Sequence, residues 1–430
     1  MARRLSLFLR STFILLLALI VLAPDWPAFG DPSFQFQTIV RQQVRFDFVL
    51  WTLNALGGKL QALLAGSHNY ISDDAGRAFV LDYLDQIARV KALEGEIERA
   101  YATGTAADAA AATTGQQAEA DAIRGELSRL QPLAEAIVQN QVAAQLGEAG
   151  LAVGGMTWPP VFMTMTPTPW MLIVSPRDRI EQVNYAALLP GLSTEEKEQL
   201  ETAVFEQLNQ SALVVPIGGL GTYPAMITET SNIDWLARVT AHEWTHHWLT
   251  FRPLGMRYLA SPEMRAINET VASLVDREIG PEVIARYYPE RLAGAPAAPP
   301  AADSDQPPPF DYSAEMARTR NEVDRLLAEG RIEAAEAYME ERRLVFVANG
   351  YPIRKLNQAY FAFYGGYAAE PGGAAGADPI GPMLRNLRQA SPSLHAFLNV
   401  VAGITSYDDL LARYQEIVSE SATLLPDEVP

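Results

Sequence analysis

Apolar residues in this chain recur mostly at helical spacing, and the clearest case runs from Ile233 to Phe251. That stretch contains neither Pro nor Gly. Trp235, Leu236, Val239, Trp244 and Trp248 give it an apolar surface to bury, and Pro253 and Gly255 end it. A second helix is predicted from Ser261 to Gly280, with Ser261 as cap, Pro262 in the first helical position, Glu263 in the first turn and Gly280 as the stop. Its apolar stripe is Met264, Ile267, Val271, Leu274 and Val275, with Glu269 at the edge of that stripe.

Residues from Asp31 to about Gly150 also read as helical. Thr38 to Leu64 is amphipathic, and Arg41, Arg45, Asp47 and Lys59 interrupt it too often for a membrane span. Ala78 to Tyr101, with Leu81, Leu84, Ile87, Val90 and Leu93 in register, and Glu119 to Leu146 predict a long antiparallel hairpin. The Ala, Thr and Gly between 102 and 117 predict a flexible tip. Such a hairpin either packs on the rest of the chain or offers a partner an arm.

Strand signals fall in Val161 to Val174 and in Leu213 to Thr228, the second carrying two short apolar runs around Gly218, Gly219 and Gly221. Between them Ser193 to Asn209 is a helix with Ser193 as cap and Glu195 and Glu196 in its first turn. Leu292 to Pro309 is rich in Ala, Pro and Asp and predicts a disordered insertion. Ser313 to Gly350, the aromatic Lys355 to Tyr367 as far as Gly365, and Asp408 to Glu420 complete a helical C-terminal part. The predicted fold class is α+β, predominantly helical, in the segments 31–150, 151–291 and 311–430, with 292–310 as the linker.

Residues 1–30 have the charge pattern of a targeting segment. Arg3, Arg4 and Arg10 precede an apolar run from Phe13 to Ala23 that is short for a membrane span. Small residues at Ala28 and Gly30 suit cleavage before Asp31, so the segment is either a removed signal peptide or a retained N-terminal anchor. Both predict an extracytoplasmic protein. The 430 residues are 49% hydrophobic, enough for a sizeable core, and the net charge of −18 argues against nucleic acid or an anionic membrane surface as partner. With no cysteine, no disulfide framework is available.

The first of the two central helices carries the residues that point to chemistry. His242 and His246 are four apart, on one helical face, and can direct two imidazoles at a single metal ion. Glu243 lies about 100° round the helix, placed to serve as a general base rather than a ligand. His247 is turned away by a similar angle and is expected to pack or to support. A catalytic zinc site needs a third protein ligand and an open position, and Glu269 on the next helix is the candidate.

These residues resemble the gluzincin metallopeptidases, which include thermolysin-like proteases and zinc aminopeptidases. The likeness is carried by His242, Glu243, His246 and the Asn268-Glu269 pair, and covers about Ile233 to Gly280. It implies a zincin-like catalytic unit, a small sheet plus the zinc-binding helix, with one zinc per chain held by His242, His246 and Glu269 and with Glu243 as base. It also implies that a strand near Gly221 to Thr228 is an exposed edge for an extended peptide, where the residues alone allow a core strand with a glycine turn. Two departures stand out. The 23 residues from His246 to Glu269 are a longer interval than usual, and Ser273 replaces an aspartate one turn after the glutamate. The partner of His242 is therefore open between Asp276 and Glu263. For the oxyanion donor the resemblance implies a C-terminal tyrosine or histidine, and Tyr364 is preferred over Tyr360, Tyr367 and His395. Parts of the C-terminal region also resemble predicted bacterial aminopeptidases of the zincin type.

The function expected is hydrolysis of peptide bonds in a peptide or protein substrate outside the cytoplasm. Two alternatives stand beside it: an envelope scaffold that keeps zinc for structure and binds partners through the hairpin, and hydrolysis of a non-peptide amide. Glu243 argues against the scaffold, because a structural site needs no base.

Overall fold

The computed structural model describes residues 32–41, 45–65, 72–103, 106–293, 310–367 and 373–423. Residues 1–30, where a targeting segment is expected, and residues 294–309 of the expected linker lie outside them. The fold is α+β and predominantly helical, 67% of it helix with small sheets. It begins with α1 (Pro32–Arg41), α2 (Phe48–Ala65), α3 (Asp73–Thr103), α4 (Ala106–Ala112) and α5 (Thr114–Leu146). A two-residue hairpin of β1 (Ala152–Val153) and β2 (Met156–Thr157) leads to β3 (Met163–Met165), β4 (Trp170–Pro176) and β5 (Asn184–Leu188). Next come α6 (Thr194–Leu208), β6 (Gln210–Pro216), β7 (Gly219–Leu220) and β8 (Ala225–Ile227). The remainder is α7 (Ile233–Leu249), α8 (Pro253–Met256), α9 (Pro262–Tyr287), α10 (Pro289–Ala293), α11 (Tyr312–Ala328), α12 (Ile332–Ala348), α13 (Gln358–Tyr364), α14 (Ile380–Ala390), α15 (Leu394–Val401) and α16 (Tyr407–Thr423). No helix of the described residues is long and apolar enough to cross a membrane.

Several boundaries differ from expectation for local reasons. The amphipathic stretch 38–64 is two helices, because Asp47 accepts from the Leu50 amide (2.9 Å) and starts α2 afresh, while Arg45 bridges to Leu188 beside β5. The hairpin tip contains α4, whose sequence AADAAAA is dominated by the best helix former. Ser193 and Glu196 form the expected capping box at the start of α6. Helix α9 does not stop at Gly280 but continues through Pro281 to Tyr287. Gly280 is there for contact instead: a Cβ on it would lie 2.2 Å from Cγ of Arg238, so the missing side chain lets α7 and α9 pack closely.

The sheet β5-β4-β6 is antiparallel and covered on both faces. Alternate side chains explain this. Met171, Ile173, Leu213 and Val215 face α11, α12 and α13, while Leu172, Val174, Ala212 and Val214 face α1 and α6. A separate core joins α3 and α5 to α7, α9 and the last three helices, through Leu84, Val142, Trp244, Val271, Leu384 and Phe397 among others. The hairpin therefore packs on the central helices.

The second three-stranded sheet has the order β3-β8-β7. Its β3 edge is closed by α5: Gln139 Oε1 accepts from the Met163 amide (2.9 Å), and Glu135 Oε1 from the Met165 amide (2.7 Å). Lys59 pairs with the same buried Glu135. The strand in the stretch 221–228, β8, is central and fully buried rather than an edge, because β7 pairs outside it. The outer strand is β7, with Gly219 and the flanking Gly218 and Gly221 against α7.

Candidate metal centre

His242, Glu243 and His246 sit in the last turns of α7, a helix capped by Asn232 and fixed by buried Trp244, whose indole donates to the Pro159 carbonyl (2.8 Å). Helix α9 runs beside it and contributes Glu269. The structure brings His242, His246 and Glu269 together, with one ligand atom from each all within 4.8 Å of one another. Nε2 of His242 is 3.3 Å, and Nε2 of His246 3.7 Å, from Oε2 of Glu269. Bonds of about 2.0–2.1 Å at a tetrahedral ion set ligand atoms about 3.3 Å apart, so the two separations from Glu269 are of the size a bound metal ion requires, and the three residues could hold one.

Both imidazoles are held in the required orientation through their other nitrogen. Nδ1 of His242 is 3.1 Å from Oδ2 of Asp276, and Nδ1 of His246 is 2.9 Å from Oδ1 of Asn268. Asp276 is thus the partner that Ser273 does not supply. It lies two turns beyond Glu269, and its other oxygen takes two bonds from Arg238 at 3.0 and 2.8 Å. Glu263, the other carboxylate considered, is exposed at the start of α9. The Tyr258 hydroxyl donates to Oε1 of Glu269 (2.5 Å), leaving Oε2 for the imidazoles.

Burial would raise Glu269, but the His246 and His242 imidazoles hold its carboxyl well below the usual range. Burial would lower His242, but its bonds to Asp276 and Glu269 push it up to about 10. The carboxylates that raise His242 would equally favour a cation in the site. If the site holds a metal ion, replacing Asp276 by Asn is expected to weaken its binding about tenfold to a hundredfold. A competition titration against a chromogenic chelator measures this, and an unchanged affinity would remove Asp276 from the assignment.

Glu243 points elsewhere. A Cβ on Gly219 would lie 2.2 Å from its Oε1, so the outer strand touches the carboxylate, and Oε2 is buried without a hydrogen-bond partner among the described residues. Burial raises its pKa against the pull of the two imidazoles. A buried carboxylate with a free oxygen and heightened basicity is poised to take a proton. Gly219→Ala should destabilise the fold by about 1–3 kcal/mol through overpacking, and should lower any turnover that uses Glu243. Gly57→Ala, in open space on α2, is the control for thermal melting and activity.

The site opens into a cleft of about 630 Å³. Its lining includes Gly219, Leu220, Arg45, Arg265, Tyr258 and Tyr367 as well as the metal-site residues. Tyr364 is not among the lining residues; its ring packs at a tilt against Tyr360, 4.5 Å between centroids, and meets Phe363 at 5.0 Å. Tyr360 is buried and bonded to the Tyr312 hydroxyl, and His395 is exposed beside Gly150. Of the four oxyanion candidates, Tyr367 alone lines the cleft. His247 packs, as expected: Nε2 bonds the Thr222 carbonyl (2.5 Å) and the ring meets Tyr223, tying the loop after β7 to α7. Sequence reasoning missed Tyr258, Arg265 and the role of Gly219. The first two lie off any apolar stripe, whereas the glycines had been noted only as turn signals. No family model, no curated protein and no solved structure matches the chain.

Proposed function

We propose that this chain is a zinc-dependent peptidase of gluzincin type, built on a zincin-like unit and acting outside the cytoplasm. The observation that carries the reading is the free, buried oxygen of Glu243 beside a donor set of two imidazoles and one carboxylate in an open cleft. A structural metal site needs neither a base nor a cleft, which weighs against the scaffold. Location outside the cytoplasm rests on Arg3, Arg4, Arg10 and the apolar run after them.

Bound by His242, His246 and Glu269, zinc would supply a Lewis acid that polarises a carbonyl and acidifies water. Glu243 takes the proton from the attacking water and hands it to the leaving amine. Of the four candidates for the oxyanion donor, Tyr367 is the one on the cleft wall. Among the described residues strand β7 has a neighbour on one side only, and Gly219 and Gly221 carry no side chains to obstruct an extended peptide that pairs with it as an added strand.

The test is digestion of a mixed peptide library by purified protein, read by mass spectrometry. Cleavage should vanish with a chelator and return with stoichiometric zinc. Cleavage that is insensitive to the chelator, or none with zinc bound, would overturn the proposal.

A further inference from the structure

Arg265 stands on α9 one turn before Glu269, in the wall of the same cleft. It is 8% exposed and forms no ion pair among the described residues. One guanidinium nitrogen donates to the Ala362 carbonyl, and Gly366 packs on the group, where a Cβ would lie 3.3 Å from Nη2. Its Nε is buried with no hydrogen-bond partner among the described residues. A buried guanidinium that has no carboxylate partner is costly unless an anion satisfies it, and its planar fork matches a carboxylate.

The charge of the cleft agrees. In a chain of net charge −18, the charged lining residues besides the two histidines are Arg45, Arg265, Glu243 and Glu269. Glu269 and Glu243 belong to the metal centre, which leaves the two arginines as the other charged groups on the wall, and among the described residues no further carboxylate lines it to hold a free α-amino group. We propose, on the peptidase reading above, that Arg265 receives a carboxylate of the substrate. Arg265 and Glu269 line the same cleft one helical turn apart, so the carboxylate is placed near the bond that is cut. Its source is either the C-terminal carboxylate of a short peptide or an acidic side chain.

Three versions of one cleavable peptide separate these sources with the zinc-loaded protein: a free C-terminal carboxylate, the C-terminal amide, and the amide with Asp beside the scissile bond. A charge-assisted bond predicts kcat/KM about tenfold to a hundredfold higher for a carboxylate form than for the plain amide. A gain with the first form assigns the C-terminus, and a gain with the third assigns the side chain. The ratio should fall toward one in Arg265→Met and recover only in part in Arg265→Lys, which keeps the charge without the fork. Equal rates for all three peptides on the wild-type protein overturn the proposal, whether or not the variants fold. Calorimetry with a dipeptide hydroxamate, as free acid and as amide, reads the same preference without turnover. A preference there with no cleavage of any peptide would sink the peptidase reading and leave Arg265 as the carboxylate site; equal affinities would sink the carboxylate site.

Discussion

Glu243→Gln is expected to leave zinc bound and to lower peptidase turnover by roughly a hundredfold to ten-thousandfold. Glutamine has nearly the same shape, so it fits against Gly219 where the glutamate does, but it accepts no proton from water. The loss reaches beyond this range if base and metal act as a unit on one water. Stability should move the other way. Glu243 is a buried carboxylate with an unpartnered oxygen, and neutralising it removes a desolvation cost. Metal analysis, peptide kinetics and a melting curve on one preparation give all three quantities. A variant that lost its zinc would make Glu243 a ligand, and one with zinc and full activity would place the chemistry elsewhere.

Removing a ligand has a different signature. His246→Ala, His242→Ala and Glu269→Gln should each weaken zinc binding by more than about a hundredfold, since loss of a supporting residue alone costs tenfold to a hundredfold. Turnover should fall to background in all three. Zinc at a thousand times its Kd adds about 4 kcal/mol to the stability of a protein that binds it only when folded. The rise in melting temperature on adding zinc should therefore be present in the wild type and absent in these variants. Stoichiometric zinc in dialysed Glu269→Gln would transfer the third position to another group.

Legibility in the sequence followed how local each determinant is. The pair His242 and His246 and the base beside them are set by helix geometry alone, and the caps at Ser193 and Ser261 by their immediate neighbours. Glu269 needed one further step, that the next helix return alongside, and α9 does so. Gly280 was misread because a glycine that ends a helix and a glycine that admits a neighbouring helix look alike in one dimension. Tyr364 and Tyr367 are three residues apart, but α13 ends at Tyr364, so helical spacing no longer relates them and only the cleft distinguishes them. Tyr258 reaches Glu269 from the loop between two helices, where periodicity carries no information. Strand order was equally hidden, since β7 and β8 are each too short to show which lies outside.

The closed edge of β3 sets more than a boundary. Glu135 and Gln139 are one helical turn apart, about 6 Å, and the Met165 and Met163 amides they bind are two residues apart along a strand, about 6.6 Å. The two pitches match, so α5 works as a ruler laid along the sheet. A slip of one residue would break both bonds and turn every side chain of β3 to the opposite face. Since β8 pairs with β3 and β7 with β8, that ruler also sets how far Gly219 stands from Glu243. The spacing between Glu243 and the strand it faces is thus gauged by a helix that lies far away in the sequence. Substitutions on its outer surface leave the gauge untouched, whereas those at Glu135 or Gln139 reset it.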